Sequence, residues 1–127
     1  MKELGYMWDT MFSSVNLLQK GANASWLRNE VLSNNIANKD TPGFKRSDVE
    51  FESIINKEFK LSGSRAAVDD IEAVVVTDLS DQLTMDGNNV DIEKEMVELA
   101  RNTIEYYTYI NKINSEFRKL DSAIKVV

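Results

Sequence analysis

Between Ile92 and Ile124 the sequence steps by four and three residues in alternation: Ile92, Met96, Leu99, Thr103, Tyr106, Ile110, Ile113, Phe117, Leu120 and Ile124. All but Thr103 are apolar. A spacing that averages three and a half residues fills one face of an α-helix and no face of a strand, so the last third is read as a long helix with a coiled-coil seam. Acids crowd its first turns (Asp91, Glu93, Glu95, Glu98) and bases collect towards its end (Arg118, Lys119, Lys125), the order that the helix dipole favours. Asp91 is the expected N-cap, its carboxylate placed to accept from the first free amides. Ala100, Ile104 and Tyr107 widen the stripe beyond one seam, so this helix is expected to touch more than one neighbour.

The first third carries a matching track: Leu4, Trp8, Met11, Val15, Leu18, Ala22, Ser25, Asn29, Leu32 and Ile36. It weakens at Ser25 and Asn29, and Gly21 lowers local helix stability by about 1 kcal/mol relative to Ala, so a bend or fray is expected near residues 20–25. Asn34, Asn35 and Asn38 crowd the last turns, and Thr41-Pro42-Gly43 ends the helix. Pro42 moves Thr41 out of the helical region and fixes its own φ; Gly43 supplies the positive φ of a type II turn.

Phe44 to Phe51 starts extended. Ser47 and Glu50 have capping-box spacing, which predicts a short helix over 49–59 with Phe51, Ile54, Ile55 and Phe59 on its apolar side. Leu61-Ser62-Gly63-Ser64 reads as a loop. Residues 65–85 are acidic and poorly patterned apart from the β-prone run Val74-Val75-Val76. Asp86-Gly87-Asn88-Asn89 is a turn that feeds the last helix. The fold class is therefore mainly α. Residues 1–43 and 86–127 form one discontinuous helical core, an antiparallel coiled-coil hairpin, around a small and partly irregular middle segment over 44–85.

Charge and composition exclude several functions. The net charge is −6, and residues 44–90 hold ten acidic side chains against five basic ones. That balance opposes both a nucleic-acid partner and an anionic membrane surface. With no cysteine and no histidine, thiolate metal sites, cysteine nucleophiles and imidazole bases are absent. The N-terminal residues lack the apolar core of a cleavable signal, and no stretch is apolar for long enough to span a membrane.

The remaining chemical readings are weak. A calcium loop through Gly87 puts Gln82, a neutral amide, at the first ligand position, where Asp is needed, and Glu93 at the twelfth. Asp69, Asp70 and Glu72 lack a scaffold to fix a glycosidase separation. Asn23-Ala24-Ser25 matches a glycosylation acceptor, but within a helix it is chance. Tyr106, Tyr107 and Tyr109 read as packing groups, not as a ligand cage. Trp8 and Phe12 lack the opposing basic face of an interfacial helix. No catalytic residue, cofactor or metal site is expected.

Two stretches together are specific. Asn34-Asn35-Ile36-Ala37-Asn38-Lys39-Asp40-Thr41-Pro42-Gly43-Phe44 resembles the motif that ends the first helix of the axial proteins of the bacterial flagellum. Asp86-Gly87-Asn88-Asn89-Val90-Asp91 with Glu95-Met96 resembles that family's partner motif. The short length and the continuation Lys45-Arg46-Ser47-Asp48-Val49-Glu50-Phe51 are most similar to the proximal members of the basal-body rod family. The resemblance covers both ends and leaves residues 60–85 unmatched. It carries over Asn35, Asn38, Thr41, Pro42 and Gly43 at the first boundary, and Gly87, Asn88, Val90, Asp91, Glu95 and Met96 at the second. Asn88 and Asp91 would cap the last helix; Asn35 and Asn38 would also bond to neighbouring subunits.

The resemblance further implies a structural subunit that polymerises into a torque-bearing shaft outside the cytoplasmic membrane, exported by the flagellar type III apparatus without a cleavable signal. Its partners would be other rod proteins, FlgC-like chains among them, ring or export-gate adaptors at the rod base, and other copies of itself. The rival is a cytoplasmic helical adaptor or export chaperone that never polymerises. For the free monomer, frayed terminal segments that order on assembly are expected.

Overall fold

A computed structural model of the chain describes residues 2–62, 70–80 and 84–125. The side chains of Leu4 and Ser62, the Gly63-Ser64 part of the expected loop, and Asp69 and Gln82 lie outside the described residues. Helix α1 spans Lys2–Ala37, strand β1 Ser47–Glu50, helix α2 Glu52–Ser62, strand β2 Val74–Thr77 and helix α3 Ile92–Lys125. The two long helices pack against each other as an antiparallel hairpin. Contacts from Asn35 to Glu95, Ser25 to Asn102 and Gly21 to Tyr109 run down one helix and up the other.

The middle segment lies against α1. Strands β1 and β2 form a two-stranded antiparallel ribbon in the register Ser47↔Thr77 to Glu50↔Val74. The valine run thus realises its β-propensity. Pairing has a second effect. Ser47 and Glu50 are held extended in β1, so their capping box does not form, and α2 starts at Glu52, three residues later than expected. Phe51 turns inward at this junction and joins Ala24 and Ile71 in a small core, with Leu17, Ile54, Ile55 and Ala73 packed on it. Phe59 stays 45 % exposed, because α2 runs on past that core.

The expected fray near residues 20–25 does not occur; α1 is continuous through them. Gly21 serves a close approach instead. A Cβ at this position would lie 2.4 Å from Cε1 of Tyr109. The glycine gives up helix propensity and lets the phenol ring lie directly on the α1 backbone.

The first seam is placed as its spacing predicts. Ala22, Ser25 and Leu32 are buried, and Met11, Val15, Leu18, Asn29 and Ile36 are half-buried. Among the described side chains of this seam only Trp8, at 41 % exposure, is exposed. The seam of α3 is corrected. Ile92, Leu99, Tyr106, Ile113 and Leu120 are half-buried, but the residues between them that face α1 are Glu95, Asn102, Tyr109 and Glu116. Met96, Thr103, Phe117 and Ile124 are exposed, and Ile110 is half-buried. The helix is rotated so that alternate seam positions are polar. Buried hydrogen bonds from Glu95 and Asn102 to the rest of the chain fix this rotation, since leaving those groups unpaired would cost more than exposing Met96 or Phe117.

Candidate functional site

At the closed end of the hairpin two turns meet face to face. In the first, the Phe44 N–H donates to the Thr41 carbonyl at 3.2 Å, and Gly43 has φ 71°, the type II geometry expected of Thr41-Pro42-Gly43. In the second, the Gly87 N–H donates to the Thr84 carbonyl at 3.1 Å, and Gly87 has φ 88°. The glycines abut. A Cβ on Gly87 would stand 3.5 Å from Cα of Gly43, while the Gly43 N–H donates to the Asp86 carbonyl at 2.8 Å. Asp86 also accepts from the Thr84 hydroxyl and the Asn88 N–H, which hold its carboxyl below the usual range. A calcium-loop ligand is thereby engaged within its own turn.

Asparagine side chains then join the turns. Asn38 Nδ2 donates to the Asn34 carbonyl at 2.8 Å, and the Thr41 hydroxyl donates to Asn38 Oδ1 at 3.1 Å. Asn88, 1 % exposed, donates from Nδ2 to the carbonyls of Asn38 and Thr41, each at 2.9 Å, and accepts the Val90 N–H on Oδ1 at 2.8 Å. Asn88 therefore closes the end of α1, not the start of α3 as expected. Asp91 caps α3 as expected: its Oδ1 accepts from the Glu93 and Lys94 N–H groups at 3.1 and 3.3 Å. Asn35 does not reach outward to a neighbour. It is 1 % exposed and grips Ser47 twice, accepting the N–H at 3.0 Å and donating to the carbonyl at 2.7 Å.

Below the turns lies a buried ion pair. The Glu95 side chain has no exposed area; it accepts from Arg46 Nε and, at 3.0 Å, from Asn35 Nδ2. The Arg46 guanidinium also reaches Asp48 at 3.6 Å and Asp78 at 3.9 Å, and its backbone N–H donates to Asn89 Oδ1 at 2.7 Å. One residue thus links β1, the end of β2 and α3, and Glu95 carries the link on to Asn35 of α1. Of the motif residues, Val90 is buried beneath this clasp, Pro42 is exposed on the turn, and Met96 points away from it at 58 % exposure.

One turn further along the hairpin, Arg28 donates to both Glu52 oxygens, at 3.2 and 2.7 Å, to Glu105 at 3.5 Å and to the Val49 carbonyl at 3.0 Å. Burial pushes the Glu52 carboxyl up, but its hydrogen bonds to Arg28 outweigh this and hold it below the usual range. Burial, with the neighbouring Glu52, raises Glu105 above that range. The two shifts act on stability in opposite directions. The Glu105 contribution is full below the ordinary carboxylate pKa and is lost as pH rises through the raised value. The Glu52 contribution is full above the ordinary value and is lost as pH falls through the depressed one. Urea midpoints measured against pH should therefore rise slightly as pH drops from neutrality, then fall steeply in stronger acid. In Glu105→Gln the initial rise should disappear while the acid fall remains.

Asn88→Ala should destabilise the chain by about 1–3 kcal/mol, the range for stranding buried polar groups, here two carbonyls and the Val90 N–H. Asn88→Asp should not rescue it, because a carboxylate would face those carbonyls. Equilibrium urea unfolding with an unchanged slope would show this; a midpoint equal to that of the unsubstituted chain would contradict the geometry.

The side chains of Asn35, Arg46, Asn88, Asn89 and Glu95 are each directed to another part of the same chain. Among the described residues no group of three or more His, Cys, Asp or Glu is placed to hold a metal ion. The arrangement can lock the two long helices at a fixed angle and register; that is its chemistry. Sequence reading found the turns and Asp91, but it missed Arg46, Arg28, Asn89 and Asn102 as linking residues. One available signal was the seven-residue recurrence of Glu95, Asn102, Tyr109 and Glu116, a second seam interleaved with the apolar one.

Residues 16–45, from the middle of α1 through the first turn, match a family described as flagella basal body rod protein. Over 126 residues the chain is 30 % identical to the flagellar basal body rod protein FlgB of Bacillus subtilis (strain 168), covering 91 % of this chain and 96 % of that protein. It is 32 % identical over 124 residues to FlgB of Aquifex aeolicus (strain VF5), covering 91 % and 95 %. It is 35 % identical over 108 residues to FlgB of Aeromonas hydrophila, covering 77 % and 82 %. Each of these matches covers more than three quarters of the chain, and on that extent of shared sequence the chain belongs to the flagellar basal body rod protein family.

Proposed function

We propose that this chain is a structural subunit of the flagellar basal-body rod, which polymerises with related rod proteins into the shaft that carries motor torque. The observation that supports this is the apolar surface left uncovered on both long helices. Tyr6, Met7 and Phe12 on α1 are 58–78 % exposed, and Val97, Ile104, Tyr107 and Phe117 on α3 are 51–70 % exposed. Exposed apolar side chains on both helices supply surface for packing against neighbouring subunits. The clasp leaves it on rigid helices, as repeated contacts between stiff subunits require. Among the described residues no helix is long and apolar enough to cross a membrane.

Family membership supports a finer reading. The chain passes through the flagellar export apparatus, occupies the basal body outside the cytoplasmic membrane, and meets other rod proteins and the ring or export-gate adaptors at the rod base. The uncovered apolar ends favour ordering on assembly over a self-sufficient monomer.

The test is fractionation of cells that lack the native gene and express a tagged chain. The tag should co-purify with detergent-extracted basal bodies and restore motility. Ile104→Asp with Tyr107→Asp should abolish both while leaving the helical circular dichroism unchanged, since both positions face outward. Recovery of the tagged chain only in cytosol would favour an adaptor or chaperone instead.

A further inference from the structure

The two edges of the β1–β2 ribbon differ. On the β1 side, the Ser47 N–H and C=O are both taken by the Asn35 amide, at 3.0 and 2.7 Å, and the Val49 carbonyl accepts from Arg28 at 3.0 Å. Side chains of α1 thus stand where a third strand would pair with β1. The outer edge of β2 has no such cover. In an antiparallel ladder a residue pair either exchanges its backbone hydrogen bonds or turns both partners outward, in alternation. Ser47 and Val49 turn towards α1, so their partners Thr77 and Val75 turn their N–H and C=O groups the other way, out from the ribbon. The Asp78 N–H donates inward to the Arg46 carbonyl at 2.8 Å, as this alternation requires. Among the described residues no backbone group meets Val75 or Thr77 from outside the ribbon.

The side chains along this edge are open as well. Val74, Val75 and Val76 are 40–49 % exposed. Successive strand residues point to opposite faces, so β2 is uncovered on both. The strand is short, yet it lacks the lysine, the proline and the bulge that commonly keep an exposed edge from pairing. Outward donors and acceptors in register, beside apolar β-branched side chains, form a template for one more strand.

Charge decides the occupant. Residues 47–50 and 70–80 carry five acids, Asp48, Glu50, Asp70, Glu72 and Asp78, and no base. A second copy pairing through β2 would bring five more acids to the same sheet, and like charges on neighbouring strands are destabilising. A segment with Lys or Arg on either side of its paired residues would meet Asp70 and Glu72 at one end of β2 and Asp78 at the other.

We infer that the outer edge of β2 takes up an extended segment of another protein, β-branched in its middle and flanked by Lys or Arg. The backbone of Val75 and Thr77 holds it, and the acids at the two ends of β2 select it. The inference stands on the ribbon alone and does not depend on the rod-subunit reading.

The probe is the peptide Lys-Lys-Val-Thr-Val-Thr-Val-Lys-Lys added to the full chain, with its Glu-flanked counterpart as control. Amide exchange followed by NMR reads the edge directly. In the free chain Val75 and Thr77 should exchange fast, Val76 and Asp78 slowly. The basic peptide at about ten times its Kd should slow Val75 and Thr77 about tenfold, and the acidic peptide should leave both unchanged. Val75→Pro removes only an outward N–H, so it should abolish binding with the helical circular dichroism unchanged. Asp70→Lys with Glu72→Lys, at two exposed positions, should weaken the basic peptide by about three- to tenfold, and reads the edge even where the proline chain does not fold. Failure of the basic peptide to bind, equal protection by both peptides, or undiminished affinity in the lysine variant would overturn the proposal. So would protection of Val75 and Thr77 in the free chain that grows with its concentration, which would assign the edge to a second copy.

Discussion

Replacing Glu95 by alanine should lower stability by about 3–5 kcal/mol, the largest loss expected of any single substitution in the chain. Arg46 is only 12 % exposed and directs Nε at Glu95; without the carboxylate its charge stays buried, with Asp48 and Asp78 at 3.6 and 3.9 Å as weaker partners. Removing one member of a buried ion pair strands the other, and this accounts for the size of the effect. Glu95→Gln should cost less, since an amide oxygen can still accept from Asn35 Nδ2. Replacing both partners, Arg46→Met with Glu95→Met, should recover most of the loss, because no charge remains to be desolvated. Urea unfolding of the unsubstituted chain, Arg46→Met, Glu95→Met and the double variant forms a double-mutant cycle. A strictly additive cycle would mean that the pair is not coupled in the folded chain, and the clasp as described would be wrong.

The second large effect is at Gly21. In an exposed helix, Gly→Ala stabilises by about 1 kcal/mol through helix propensity. Here the new methyl group would lie 2.4, 2.6 and 2.9 Å from three ring atoms of Tyr109. The ring must swing out or α3 must move away, and overpacking of this kind costs about 1–3 kcal/mol. Gly21→Leu should be worse, opening the hairpin at its middle. The decisive measurement is a change of sign. Gly21→Ala should destabilise the unsubstituted chain but stabilise Tyr109→Ala, where the ring is gone. Equal effects in both backgrounds would rule out the contact.

These two sites also show how far the sequence could be read. Local signals sufficed where one residue type answers one backbone need: Pro42 and Gly43 for the first turn, Asp91 for the cap, the valine run for β2. Two long helices in an antiparallel hairpin follow from apolar spacing alone. The rotation of α3 did not, because its apolar residues outnumber what one partner helix can cover. Which of Met96 or Glu95 faces α1 is decided by Arg46 and Asn35, forty-nine and sixty positions away in sequence. Gly21 failed for a related reason. Judged by propensity it is a weak point, and only the ring of Tyr109 across the interface gives it a role. Asn88 was assigned to the nearer helix end, whereas its amide closes a helix that ended fifty residues before.

The interleaved polar positions of α3 have a mechanical corollary. A seam of leucines alone can slip by a heptad at little energetic penalty, since each side chain finds an equivalent socket. In this hairpin a slip would carry Glu95 away from Arg46, Asn102 away from the Ser25 carbonyl and Tyr109 away from the one residue small enough to admit its ring. Axial shear therefore meets several keyed stops at once, and the hairpin resists sliding as a splined joint does.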